Sequence, residues 1–227
     1  MACIGFCGAS EAGKTAGVYT WREGITEMEK EYDAQIWSNL QAHNKFICER
    51  VKHFSNSAYS NNKKILEEFG VPSWSDTEWN AFNRDSQVIF SNVAITCEDF
   101  YNTPHKDPDH NPLTYGLFSY INKHKSLPIL PPANIEGHAF RFPQFDCNID
   151  FGTTPGIIEI MWPSNAIDHQ TTAPPHPLKT TTNITHFGCS FQISDRLMER
   201  ARILNKLNEE EIKSRTVSQS DRMKNSK

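Results

Sequence analysis

Residues 156–165 (GIIEIMWPSN), running on to 168–172 (DHQTT), and His105-Lys106-Asp107 between Pro104 and Pro108 decide how this chain reads. Gly156 opens a short apolar run with the length and residue types of a buried strand, and Pro163, Ser164 and Asn165 end it with turn chemistry. A histidine just beyond such a turn, His169, can point back into the mouth of a small β-barrel. His105 and Asp107 add an imidazole and a carboxylate two residues apart. Two neutral imidazoles and one carboxylate are a ligand set that holds Fe(II) on one face and leaves coordination positions open. His-x-Asp alone is a weak pattern, and between two prolines it also reads as a surface turn. The strand and turn that deliver His169 give the triad its weight. His176, set among Pro174, Pro175 and Pro177, is the rival third ligand but lies further into a loop, and His110, His124 and His138 read as loop residues.

The flanking sequence supplies more short strands. Residues 139–143 (AFRFP) and 147–151 (CNIDF) lie upstream of His169, and the alternating segment His186–Ile193 lies downstream. Gln87–Phe90 and Val93–Thr96 read as the strands leading into His105. This order, His-x-Asp, Gly-led strand, distal His and final alternating strand, resembles the 2-oxoglutarate/Fe(II) dioxygenases of the double-stranded β-helix (jelly-roll) fold. More narrowly, residues 97–111 (CEDFYNTPHKDPDHN) resemble the metal loop of the TET/JBP enzymes, and the chain as a whole is similar to fungal TET-like proteins.

The resemblance implies an α+β protein with a double-stranded β-helix core. Fe(II) would be held by His105, Asp107 and His169, with 2-oxoglutarate as co-substrate. Its substrate would be DNA carrying a methylated base such as 5-methylcytosine, in an intracellular compartment, the nucleus among the candidates. His186 stands where the family's co-substrate arginine is expected. A histidine there offers hydrogen bonds but only partial charge at neutral pH, so Ser190 on the same strand face, Lys179 and Arg141 are carried as further anchors. His110 and Asn111 match the pair that faces the target base, one residue further from Asp107, and Tyr115 is a candidate stacking surface. The same departure at His186 supports a second reading, a catalytically impaired descendant that binds without turnover. A third keeps the dioxygenase and changes the substrate to RNA, protein or a small molecule.

Composition bounds these readings. A chain of 227 residues can bury a proper core, and 14 Phe, 5 Trp and 6 Tyr give it aromatic material. No apolar run is long enough to span a membrane, and no charged-then-apolar leader is present. The six cysteines, at 3, 7, 48, 97, 147 and 189, form no CxxC pair and read as reduced, intracellular thiols. A formal net charge of −4 lacks the basic footprint of phosphate binding, so DNA as partner rests on the resemblance alone.

Three parts are expected: a mostly helical extension over 1–84, the core over 85–195, and a C-terminal helix with a disordered tail over 196–227. Apolar spacing places helices over 25–37, 46–51 and 197–207, with a break at Val71-Pro72. Residues 128–132 and 174–177 are rigid proline loops. One motif competes. Residues 8–15 (GASEAGKT) match the phosphate-binding P-loop, in which Lys14 would reach the terminal phosphates and Thr15 would hold magnesium. The following parallel strands and helices that such a fold needs are missing from the pattern.

Overall fold

The computed structural model describes residues 1–19, 26–83, 87–131, 137–152, 156–181 and 183–224. Ile25, Pro132, the expected boundary at 84/85 and the last three tail residues lie outside them. In chain order the strands are β1 (Ala2–Gly8), β2 (Ala16–Val18), β3 (Asn92–Cys97), β4 (Thr114–Asn122), β5 (Ala139–Phe142), β6 (Cys147–Asp150), β7 (Ile158–Trp162), β8 (Gln170–Thr171), β9 (Ile184–Gln192) and β10 (Thr216–Val217). The helices are α1 (Glu27–Phe54), α2 (Asn56–Phe69), α3 (Leu178–Thr181), α4 (Asp195–Leu204), α5 (Glu209–Arg215) and α6 (Gln219–Lys224). The chain divides into two compact units, Ala94–Phe191 with Met1–Ala2, and Cys3–Val93 with Gln192–Lys227.

The first unit carries the candidate ligands. In its larger sheet the order is β3-β9-β4-β7, and β5 lies between β6 and β8 in the smaller one. β4 runs antiparallel to both neighbours, with Phe118 opposite Ile158 on β7 and Gly188 on β9. Side chains alternate across a strand, so Gly116, Phe118 and Tyr120 share the inner face of β4. Ile160 and Trp162 do so on β7, and His186, Gly188 and Ser190 on β9.

These side chains meet β5 in an aromatic core of Phe118, Tyr120, Phe140, Phe151, Ile160, Trp162 and Leu178. Phe118 stacks on Phe151 at 5.2 Å and tilts against Phe140 at 4.9 Å. Two inward positions are glycine because rings pack straight onto the backbone. A Cβ on Gly116 would sit 2.7 Å from the Phe118 ring, and one on Gly188 would sit 2.7 Å from Thr96 Oγ1 and 2.9 Å from Phe118. The architecture is mixed α+β, and its packed antiparallel sheets are consistent with the expected jelly roll.

Four features of the second unit bear on the sequence reading. First, the N-terminal part is not helical from its start. It opens with the antiparallel hairpin β1–β2, in which Phe6 faces Val18 and Gly8 faces Ala16.

Second, that hairpin removes the P-loop. The chain leaves Thr15 into a strand, not a helix, so no helix N-terminus faces the loop. Lys14 Nζ instead donates to the carbonyls of Ser214 at 2.6 Å and Thr216 at 3.4 Å.

Third, Gln87–Phe90 is irregular, not a strand. Fourth, the polar tail is ordered through residue 224. Asn208 and Glu211 form a capping box at α5, β10 pairs in parallel with β2, and Arg222 reaches Asp33 at 3.5 Å. Capping and strand pairing order this segment without a long apolar stripe.

The expected helices are present. A Thr26–Glu29 capping box starts α1, Ser55 serves as the N-cap of α2, and Gly70 in the left-handed conformation ends it just before Pro72. The buried stripe Leu197, Met198, Ala201 and Leu204 fixes α4. All six cysteines are free, and no described helix is long and apolar enough to cross a membrane. Truncating Phe118 to Ala should destabilise the chain by about 3–5 kcal/mol, the range for a buried phenylalanine in a close-packed core. Denaturant unfolding of the purified variant measures this directly.

Candidate metal centre

His105, Asp107 and His169 come together, and their ligand atoms lie within 4.8 Å of one another. The backbone does the joining. His105 N–H donates to His169 O at 3.1 Å and His169 N–H returns to His105 O at 3.0 Å, an isolated antiparallel bridge. Asp107 N–H donates to Ser164 O at 2.9 Å, in the turn that closes β7.

Each imidazole is held by its other nitrogen. His105 Nδ1 lies 2.8 Å from Thr103 O, and His169 Nδ1 lies 3.1 Å from Ile167 O. A carbonyl only accepts, so both Nδ1 atoms carry a proton, and both Nε2 atoms are turned to Asp107. Those Nε2 atoms sit 3.5 Å and 3.3 Å from the two Asp107 oxygens. His169 is buried against Phe140 and Trp162, at 5.6 Å and 5.5 Å between rings. His105 and Asp107 are partly open to solvent. The two imidazoles, the facing carboxylate and the one open side are a donor set and access that suit a divalent metal ion.

Next to the ligands lies a buried acid that the sequence reading did not single out. Asp109 accepts hydrogen bonds at Oδ2 from Ser164 Oγ at 2.6 Å and Thr114 Oγ1 at 2.9 Å, while its Oδ1 is buried without a partner. Burial pushes its carboxyl up to about 6. The Ser164 and Thr114 hydroxyls oppose the shift and the Asp107 charge adds to it.

Between the sheets, polar atoms stand among aromatic rings. His186 is fully buried in β9, stacked on Phe151 at 4.9 Å and 4.5 Å from the His138 ring. Its Nε2 lies 3.1 Å from Thr96 Oγ1, and its Nδ1 has no partner. Burial, with His138 beside it, holds its pKa well below the ordinary value, so His186 is neutral. His138 Nε2–H donates to Phe100 O at 3.1 Å, which leaves its buried Nδ1 as a bare acceptor. Trp162 Nε1–H is buried and unpaired as well. Such groups cost about 1–3 kcal/mol each when left unmade. Trp162 N–H, and His186 Nδ1–H when Thr96 donates to Nε2, are donors suited to an acceptor-only ligand such as a dicarboxylate. Neither brings a full positive charge.

Several expected site residues are placed elsewhere. Arg141 points outward from β5 and pairs with Asp146 at 3.4 Å, and the exposed Lys179 pairs with Glu98 at 3.8 Å. Neither reaches the interior. Asn111 is fully buried, its amide donating to Leu113 O at 2.7 Å and to Thr114 Oγ1 at 3.3 Å. Tyr115 is buried on the opposite face of β4 from Phe118, and its hydroxyl donates to Glu159 Oε2 at 2.7 Å. His110 is half-buried in the turn after Asp109. Ser190 keeps its expected place on the inner face, in register with Gly116. The sequence reading does not single out Trp162 or Asp109, and it leaves His138 as a loop residue. Of these, His138 had a signal, since it immediately precedes the AFRF strand.

The family model described as Tet-like 2OG-Fe(II) oxygenase superfamily matches residues 1–174. No curated protein matches the chain. The matched span contains all three ligand candidates and His138, and β9 with His186 follows it.

The buried imidazole of His138 makes a prediction independent of any ligand. Burial pushes its pKa down to about 4 from 6.5, against the pull of the Phe100 carbonyl, Asp99 and Asp150. Between those values the unfolded chain binds a proton that the folded chain does not, so stability falls as pH drops through the window. Asp109, shifted upward, acts in the opposite sense. Comparing native protein with His138→Gln isolates the histidine. The native protein should lose roughly 2–3 kcal/mol more than the variant between pH 7 and pH 4.5 in denaturant titrations.

Proposed function

The chain belongs to the Tet-like 2OG-Fe(II) oxygenase superfamily, and from that premise we propose that it oxidises the methyl group of a modified base, 5-methylcytosine or a close relative, in DNA. The observation that carries the oxygenase reading is the preformed triad of His105, Asp107 and His169, with both Nδ1 protons committed to carbonyls. We read the two packed sheets as a closed double-stranded β-helix, and the metal loop over 97–111 as that of the TET/JBP group in its fungal form. That likeness supports a base as substrate and a nuclear setting.

When bound, iron and 2-oxoglutarate supply the oxidative decarboxylation that hydroxylates an unactivated C–H bond. The protein's own part is to bind, orient and exclude water. His105, Asp107 and His169 hold the metal. Trp162 and His186 offer N–H donors to the co-substrate's carboxylate, with Ser190 beside them on β9. Phe118, Phe140 and Phe151 keep the interior dry, which strengthens those neutral hydrogen bonds. No side chain is required to move a proton. We assign contact with the base to His110, half-buried in the turn after Asp109, and a base in a duplex has to leave the stack to reach it.

The neutral His186 also favours a second reading, a TET-like protein that binds iron and base but turns over slowly, because a guanidinium fork is the stronger carboxylate partner. One assay separates the two. Purified protein with iron, ascorbate and 2-oxoglutarate should release succinate only when a 5-methylcytosine oligonucleotide is supplied, and His186→Leu should abolish that release. Background succinate with metal still bound would establish the binding-only form. Equal release with unmethylated DNA would exclude the methyl group as the target.

A further inference from the structure

We propose that Asp109 is a positioning residue for the metal carboxylate, fastening the loop that carries His105 and Asp107 to the turn that leads to His169. The inference rests on the reading of those three residues as metal ligands and adds to it a residue that touches none of the reacting atoms.

The loop needs a fastening. It contains Pro108 and Pro112, which donate no backbone hydrogen bonds, and its two ligands are partly exposed, at 35% for His105 and 27% for Asp107. The turn at Ser164 and Asn165 grips it at three points. Ser164 O accepts from Asp107 N–H at 2.9 Å, Ser164 Oγ–H donates to Asp109 Oδ2 at 2.6 Å, and Asn165 Nδ2 donates to Asp109 O at 3.0 Å. Thr114, at the head of β4, closes the group from the other side. Its hydroxyl reaches Asp109 Oδ2 at 2.9 Å and Ser164 Oγ at 2.7 Å. One residue, Ser164, therefore holds Asp107 through its carbonyl and Asp109 through its hydroxyl. Asp109, Thr114 and Ser164 are each at most 2% exposed, so the fastening is rigid while the ligands it serves stay accessible.

Stability alone does not call for a carboxylate here. An asparagine carbonyl would accept the same two hydroxyl bonds without desolvating a charge, and Asp109 Oδ1 has no partner to offset that desolvation. A negative charge two residues from Asp107 adds attraction for a divalent ion at the triad, in a setting where water screens little. The carboxylate thus supplies geometry through Oδ2 and charge through the whole group.

Co(II) binding to the full chain, followed by its visible d–d absorption and by calorimetry, tests this. The set is native protein, Asp107→Ala, Asp109→Asn and Ser164→Ala, with thermal unfolding of each in the absence of metal. Expected are tight binding by native protein and none by Asp107→Ala. Asp109→Asn should weaken binding about tenfold or more, the usual loss when an outer partner of a metal ligand is removed, with metal-free stability unchanged or raised. Ser164→Ala should weaken binding in the same direction, and it decides the matter if Asp109→Asn does not fold.

Native-like affinity in the folded variants would overturn the inference while leaving the metal site standing, because Asp107→Ala still fails to bind. Affinity that falls only in step with metal-free stability would overturn it too, as a plain loss of scaffold. No Co(II) binding by native protein would remove both.

Discussion

Two peptide hydrogen bonds between His105 and His169 carry the candidate site. They join residues on either side of a long intervening segment, and with them come Asp107, whose N–H is taken by Ser164, and the Nδ1 bonds to Thr103 and Ile167. A side chain in a proline-rich loop has many rotamers, and ordering it for a metal costs conformational entropy. Here the backbone bridge and the carbonyl contacts meet that cost at folding. The three candidate ligand atoms are therefore gathered by the fold itself.

The interior behind the triad has a different character. It is aromatic, and both described cations expected to serve it, Arg141 and Lys179, are engaged at the surface with Asp146 and Glu98. What it offers is the N–H group of Trp162, the unpaired Nδ1 of His186 and the bare nitrogen of His138. In a low-dielectric interior a neutral donor counts for more than it does in water. A co-substrate held this way is selected by geometry and hydrogen bonding, and less by long-range charge.

The triad was legible because its signals are local: a Gly-led apolar run, a Pro-Ser-Asn stop and a histidine just beyond. The helices α1, α2 and α4 were legible from apolar spacing and caps. What could not be read depends on parity and on distant contacts. Tyr115 and Phe118 are both aromatic residues of β4, but three positions apart in a strand means opposite faces, and nothing local says which face is inner. Asn111 looks like a base reader until Leu113 and Thr114 take its amide. The GASEAGKT stretch has every residue of a phosphate loop, and only the strand that follows it, with Lys14 turned to the end of α5, shows that it is a hairpin. The sequence reading leaves His138 as a loop residue and sets His186 on a strand without its depth. Their burial arises from Phe118 and Tyr120 on β4 and Phe151 just after β6, which pack against their rings.

The most direct test is anomalous diffraction at the iron edge from anaerobic crystals soaked with Fe(II). The account predicts one strong peak bounded by His105 Nε2, His169 Nε2 and an Asp107 oxygen, with both Nδ1 bonds to Thr103 and Ile167 retained. Iron bound elsewhere, or a triad that must rearrange its histidines to reach the ion, would contradict it.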